Sequence, residues 1–393
     1  MTEPKISVVI PYKQRLDNIR AVFTSLAEQT LDRSEFEVVV GVMEYDPAYV
    51  ALCREFTGRL DIVSVLTSKE WNTSHARNLG IRHATGKAVM VLDADVVIPP
   101  AALRTLYERH FQHGQQVCVL GQVFGYDEVI STDLDTVEAP DYAHYRQVLA
   151  DLESADRARL DPRWSAGHAP AFARFPWAFA RTGLMALPTA AVRTHGLLLD
   201  EGFLGWGAED QEWGLRIARA GLPITLGQDV YGVHLPHRRD SGAQDRSAVE
   251  TNRYYLAKWP RLDLELALAF GGWLEADRLM PEVERELAAA APGHTLGAVR
   301  GTVDGRDVLA LGVLLDEHGR IADPEAAALF AGRAPAEVLP LVGFALPYED
   351  ASVDECRLLA PVCGLGEPYR AAVRNSAERV ARKVGAPAGD DRR

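Results

Sequence analysis

The chain has 393 residues, 47% hydrophobic and 25% charged, ordinary values for a globular protein with room for one large domain and an appendage. Its net charge of -13 argues against a nucleic-acid surface, which needs a basic footprint. No apolar stretch approaches the ~18 residues that span a bilayer, the N-terminus lacks a signal-peptide pattern, and Cys53, Cys118, Cys356 and Cys363 lack metal or disulfide-framework spacing. A reducing cytoplasm is the expected location, with peripheral membrane attachment left open.

Ile6–Ile10 reads as a first strand, stopped by Pro11. Leu16, Ile19, Val22, Phe23 and Leu26 recur at three- and four-residue steps and predict a helix from Leu16 to Gln29. Phe36–Val40 is a second strand, Pro47–Gly58 a helix and Leu60–Leu66 a third strand. Ser74–His83 is a helix capped by Thr73 or Ser74, and Ala88–Leu92 a fourth strand. This alternation predicts an α/β fold, a mostly parallel sheet with helices on both faces. A helix (Ala101–His113) and a strand (Gln116–Leu120) extend it. Gly125–Arg174 is polar and poorly periodic, a lid or an insertion around a site. Phe175–Pro188 is rich in aromatic and apolar residues, and the glycine-aromatic loop Gly202–Gly207 opens into a helix, Glu209–Ala220. Past about residue 270 the character changes. A helix (Glu275–Ala290), a hairpin (Val299–Leu315) turning at Asp304-Gly305 and an Arg-bearing helix (Glu367–Val384) precede a frayed end, Gly385–Arg393. The expected division is residues 1–270 and a small α+β appendage, residues 271–393.

Chemistry enters at Asp93 and Asp95, which follow the apolar run Ala88–Leu92. On an extended chain, residues at i and i+2 point the same way, so both acids project from the carboxyl end of a core strand, where open α/β sheets bind ligands. A divalent cation carrying a phosphate ester would relieve their repulsion; two solvated acids at a strand end are the plain alternative. The run from Glu201 to Arg216 places Phe203 and Trp206 among three glycines, a bendable loop with faces for sugar C–H groups. Glu209 and Asp210 then fall at a helix start, where the dipole favours carboxylates and where capping is the commoner use of acids. His234 and His237 end a later strand. Neutral imidazole is a frequent metal ligand, but this pair lacks the Glu or Cys partners of protease or finger sites. His110 and His113 show the same spacing on a helix that reads as solvated.

Together these pieces resemble the family 2 glycosyltransferases of the GT-A fold, in the branch shared with chondroitin-polymerase-type and β-1,4-galactosyltransferase-like domains. The matching residues are Val8-Val-Ile-Pro11-Tyr12-Lys, Ser74-His-Ala-Arg77-Asn78-Leu-Gly80, Leu92-Asp93-Ala-Asp95, Gly205-Trp206-Gly207-Ala-Glu209-Asp210 and His234, in order across about residues 5 to 258. The resemblance implies a Rossmann-like GT-A domain and a metal-dependent inverting transfer from a nucleotide sugar, with a UDP-sugar as the first guess. It implies Pro11 and Tyr12 beside the base, Arg77 near the base or pyrophosphate with Asn78 next to it, Asp93 at the ribose, and Asp95 and His234 on Mn²⁺ or Mg²⁺, with Asp93 as a further metal contact. Trp206 would shape the sugar pocket, Asp210 would be the general base, and Glu209 would hold acceptor hydroxyls. Family members usually carry acids just after the second strand to hold uracil; Glu44 and Asp46 are the nearest here. The acceptor stays open among glycan, lipid-linked, peptide and small-molecule hydroxyls, as does a homo-oligomer. A nucleotidyltransferase is the nearest rival, disfavoured because Pro11–Arg15 contains no glycine. A non-catalytic binding protein on a transferase scaffold is disfavoured by intact Asp93, Asp95, Asp210 and His234.

Overall fold

A computed structural model describes residues 3–125, 141–155, 161, 163, 165–237, 241–331 and 337–385. Much of the expected lid and most of the expected frayed end fall outside the described residues. The chain forms two units, Met1–Thr251 and Asn252–Arg393.

In the first unit the strands are β1 (Ile6–Tyr12), β2 (Phe36–Val42), β3 (Ile62–Leu66), β4 (Ala88–Leu92), β5 (Val96–Val97), β6 (Cys118–Phe124), β7 (Leu184–Pro188) and β8 (Ile224–His234). The helices are α1 (Leu16–Ala27), α2 (Pro47–Glu55), α3 (Thr73–His83), α4 (Ala102–His110), α5 (Tyr142–Glu153), α6 (Ala169–Arg174), α7 (Thr189–His195), α8 (Glu209–Arg219) and α9 (Ser241–Lys258), the last running into the second unit. One eight-stranded sheet has the order β3-β2-β1-β4-β7-β6-β8-β5. The first four strands pair in parallel, as their alternation with helices requires. The other half is mixed, because β7 runs antiparallel to both β4 and β6.

Apolar residues on both faces of the central strands sort into two cores. Val8, Ile10, Val38 and Met90 pack under Ile19, Phe23 and Leu26 of α1, Leu52 of α2 and Leu106 of α4. Val9, Val39 and Val91 pack under Ile81 of α3, Val192 of α7 and Trp213 of α8. β1 passes through Pro11 rather than stopping there. Its pairing with β4 ends at Val9, so Pro11 lies beyond the shared ladder on that side and its missing N–H costs no bond to β4.

The second unit carries a five-stranded sheet, β11-β9-β10-β12-β13. Its centre is the expected hairpin, β9 (Thr295–Val303) and β10 (Arg306–Leu315), with Asp304 and Gly305 both at positive φ. β11 (Glu337–Leu339), β12 (Glu355–Leu358) and β13 (Val384–Gly385) complete it. Two helices unread in the sequence stand out: α9 and α10 (Leu262–Phe270). From α10, the buried Glu265 carboxylate accepts backbone N–H bonds from Val342, Gly343 and Phe344 at 2.9, 2.8 and 3.1 Å. Burial pushes its pKa up to about 8 against those donors.

Candidate active site

The site begins with how closely α3 lies on the sheet. A Cβ at Gly41 of β2 would stand 1.9 Å from the Ala76 carbonyl oxygen, and one at Gly80 of α3 would stand 2.4 Å from the Val9 side chain, so both positions need glycine. The cap of α3 is Asn72, not Thr73 or Ser74; its side-chain oxygen accepts the His75 N–H at 2.8 Å while its amide donates to the Glu201 carbonyl at 2.8 Å. One side chain thus caps the helix and ties it to the loop leading to α8.

Arg77 projects from the buried face of α3, its side chain 5% exposed. Its guanidinium donates to Asp93 at 3.0 Å, Glu209 at 3.3 Å and Asp210 at 3.5 Å. The acid beyond β4 and both acids of α8 therefore share one cation. Burial alone would lower the Arg77 pKa, but the charges of Asp93, Asp210 and Glu209 outweigh it and push it up. Glu209 is held up to about 7, by burial first and by the charge of Asp210 second, with Arg77 opposing. Asp210 accepts the Thr182 hydroxyl at 2.7 Å and the Thr182 N–H at 3.2 Å, and keeps 25% of its side chain exposed. Neither acid is the N-cap of α8, which starts from Ala208 in the left-handed region with no side-chain cap, although Glu209 accepts the Gly207 N–H at 3.1 Å.

The loop before α8 is fixed from α9. The Trp206 N–H donates to Ser247 Oγ at 2.6 Å, and the Trp206 carbonyl accepts from Ser247 and Thr251 at 3.2 and 3.3 Å. Gly205, at φ 98°, brings its backbone so close that a Cβ would fall 2.1 Å from Ser247 Oγ. Phe203 is buried, while Trp206 stays 54% exposed.

Asp95 belongs to a second cluster. β4 ends at Leu92, and the Val96 N–H returns to the Asp93 carbonyl at 3.1 Å, closing a turn. Side-chain alternation therefore stops before Asp95, and the two acids, expected to work as a pair, go to different partners. Asp95, with 2% of its side chain exposed, faces His237 Nε2 at 3.0 Å and His234 Nε2 at 3.6 Å, and Arg15 Nη1 reaches its Oδ2. The antiparallel pairing of Val96 with His234, and the Leu235 N–H on the Asp95 carbonyl at 2.7 Å, bring these residues together. The ligand atoms of Asp95, His234 and His237 all lie within 4.8 Å of one another. A carboxylate with two imidazoles is a donor set for a divalent transition ion. Asp93, expected as a metal contact, is outside this cluster, and His237 is inside it.

Other expected residues have structural duties. Pro11 is buried in β1. Tyr12 is fully buried, stacked on Tyr49 with ring centroids 4.4 Å apart, and its hydroxyl donates to Asp46 at 3.4 Å. Asp46 caps α2 through the Ala48 N–H at 2.9 Å, and Glu44 accepts from Gln14 at 3.2 Å. Asn78, expected among the donor contacts, instead clamps the fold: its amide donates to the Leu199 carbonyl and Glu201, and its oxygen accepts the Leu199 N–H. His110, expected on a solvated face, pairs with Asp229 at 3.0 Å. Sequence reasoning passed over Thr182, Arg15 and the exposed Trp71, whose ring lies 5.9 Å from the Lys13 ammonium.

Compared with known proteins, residues 7–158 match the family described as Glycosyl transferase family 2. The chain is 30% identical over 306 residues to a validoxylamine A glucosyltransferase of Streptomyces hygroscopicus subsp. jinggangensis (strain 5008), a match covering 74% of this chain and 70% of that one. Among solved structures it aligns with S. aureus TarS at 17% identity and a TM-score of 0.44, over 73% of this chain and 42% of that one. It also aligns with the mannosyltransferase PcManGT of Pyrobaculum calidifontis, solved with GDP-Man and Mn²⁺, at 19% identity and a TM-score of 0.45, over 74% and 75% of the two chains.

Proposed function

This chain belongs to glycosyl transferase family 2, with the GT-A architecture in its first unit, and we propose that it moves a hexose from a nucleoside diphosphate sugar to an acceptor hydroxyl, with inversion. The observation that carries this reading is Arg77, whose one guanidinium joins Asp93 to Glu209 and Asp210. A donor-side acid and an acceptor-side acid that share a buried cation are close enough to serve one reaction. The relative named as a validoxylamine A glucosyltransferase supports glucose as the sugar and a discrete small molecule as the acceptor.

Asp210 is the general base. Thr182 and Arg77 aim its carboxylate, while its exposed edge can receive the acceptor's proton. Such a base contributes ~10²–10⁴-fold. Glu209, deeper and with a raised pKa, holds an acceptor hydroxyl whether it is charged or neutral. Trp206 covers a sugar face. Asp93 takes the ribose hydroxyls, and Glu44 and Asp46, at the carboxyl ends of the first strands, accept from a uracil N–H. Tyr12 supports Asp46 from behind instead of touching the base. Asp95, His234 and His237 would hold the divalent ion, which supplies charge neutralisation for the departing diphosphate when bound. The imidazole pair favours Mn²⁺ over Mg²⁺. A cytoplasmic location is part of the reading, supported by four cysteines held as free thiols.

The test is transfer from α-linked UDP-glucose to validoxylamine A with Mn²⁺, the product read by anomeric coupling in NMR. A β-linked glucoside is expected. An α-linked product refutes inversion, and turnover with GDP-glucose but not UDP-glucose refutes the nucleotide assignment.

A further inference from the structure

Arg15 engages the same Asp95 oxygen, Oδ2, that His237 approaches to 3.0 Å. The two ends of this ion pair are unlike. Asp95 keeps 2% of its side chain exposed and is held through its backbone carbonyl by Leu235, whereas Arg15 keeps 41% exposed. The Arg15 backbone is fixed at the start of α1, its carbonyl accepting the Ile19 N–H at 2.9 Å, and only its long side chain reaches into the cluster. The carboxylate is enclosed and its cation is half-exposed.

Asp95 Oδ2 cannot serve a guanidinium and a divalent ion together. Two cations at ligand distance from one oxygen repel each other. An ion seated between His237 Nε2 and Asp95 Oδ2 takes the oxygen that Arg15 engages and competes with Arg15 for it. A displaced guanidinium at the edge of this cluster has a natural next partner in the diphosphate that accompanies the ion, because its planar fork matches phosphate oxygens bidentately.

We propose that Arg15 is an exchangeable cation: it neutralises Asp95 until the divalent ion enters, and then turns to the diphosphate of the donor. This rests on the glycosyltransferase reading and adds a positioning residue to it. Arg15 opposes the ion when the ion comes alone and favours the nucleotide once the ion is in place. A merely structural ion pair would also oppose the ion but would not favour the nucleotide.

The experiment is a Mn²⁺ titration of the full chain followed by electron paramagnetic resonance of the free ion, then UDP titration by calorimetry at saturating Mn²⁺. Arg15→Gln removes the charge, Arg15→Lys keeps it, and the melting temperature of each checks that the fold is intact. Without nucleotide, Arg15→Gln is expected to bind Mn²⁺ about 2–5-fold more tightly than wild type, the range for breaking a partly exposed ion pair. With Mn²⁺ present it is expected to bind UDP about 10-fold more weakly, the value of a charge-assisted contact to phosphate. Arg15→Lys should match wild type for Mn²⁺ and fall between the two for UDP. Equal or weaker Mn²⁺ binding by Arg15→Gln, or undiminished UDP binding, overturns the exchange while leaving the transferase reading intact. No Mn²⁺ binding to the wild type overturns both.

Discussion

Replacing Arg77 by methionine tests the centre of the site. The guanidinium is 5% exposed and contacts three carboxylates between 3.0 and 3.5 Å. Methionine fills much of the same volume but leaves Asp93, Glu209 and Asp210 facing one another without a cation. Removing one partner of a buried ion pair typically costs about 3–5 kcal/mol, because the remaining charge is stranded. For a unit of this size that lowers the melting temperature by roughly 10 °C. The loss must also depend on pH. Without Arg77 the burial and the Asp210 charge that already raise Glu209 go unopposed, and its folded-state pKa climbs further above its unfolded value near 4. A carboxyl raised in this way stabilises the fold fully below its unfolded pKa, and that contribution is lost as pH rises through the folded value. The deficit relative to wild type should therefore be small near pH 5 and large near pH 8. Urea unfolding followed by circular dichroism at both pH values measures it. A loss below about 1 kcal/mol at the higher pH, or one that does not change with pH, would mean that the three acids do not depend on Arg77 and that the shared-cation description is wrong.

Further outcomes follow from the same geometry. Asp210→Asn keeps the Thr182 contacts within reach and removes the base, so transfer should fall ~10²–10⁴-fold while UDP binding with Mn²⁺ stays within about 2-fold; near-normal turnover would reassign the base. His237→Ala should weaken Mn²⁺ binding about 10-fold or more, measured by the free-ion resonance signal, and unchanged affinity would return the site to Asp95 and His234 alone. Glu209→Gln removes a carboxyl whose folded pKa, about 7, lies above its unfolded value. The wild type loses that contribution as pH rises from the unfolded value through 7, so the variant should gain on the order of 2–3 kcal/mol relative to wild type between pH 5 and pH 8. Parallel melting curves across that range would contradict the raised pKa.

The sequence exposed the parallel half of the sheet because its strands are apolar runs punctuated by helices with clear periodicity. It did not expose β7, a short run that merges with the aromatic and apolar residues before it and ends on Pro188. Nor could it show that β7 runs antiparallel, since direction depends on partners far along the chain. The site was legible where chemistry and order coincide. Arg77, Asp93, Glu209 and Asp210 were singled out, and the fold gathers them around one guanidinium. What failed was an assumption about local geometry: the i, i+2 argument needs extended backbone through Asp95, and the chain turns first. Thr182 had no signal at all, because a lone threonine after an arginine is ordinary until α8 is brought beside it. His237 had a signal, its spacing from His234, but its carboxylate partner is supplied by the pairing of β5 with β8, which no motif records.

The separation of Asp93 from Asp95 explains why the cleft uses two arginines so differently. Arg77 is enclosed and faces three acids, so moving it would strand three carboxylates at once. On the proposed reading, that enclosure would keep Asp210 aimed before any substrate arrives, the preorganisation on which general-base catalysis depends. Arg15 faces one acid from a half-open position, so a stronger cation on that acid can dislodge it. In the proposed reaction, a fixed cation beside the base and a movable one beside the leaving group would let the base stay in place while the charge on the diphosphate grows and then departs. Exchanging the two roles would defeat the reaction: a movable cation at Asp210 would let the base swing away from the acceptor, and a fixed one at Asp95 would bar the ion.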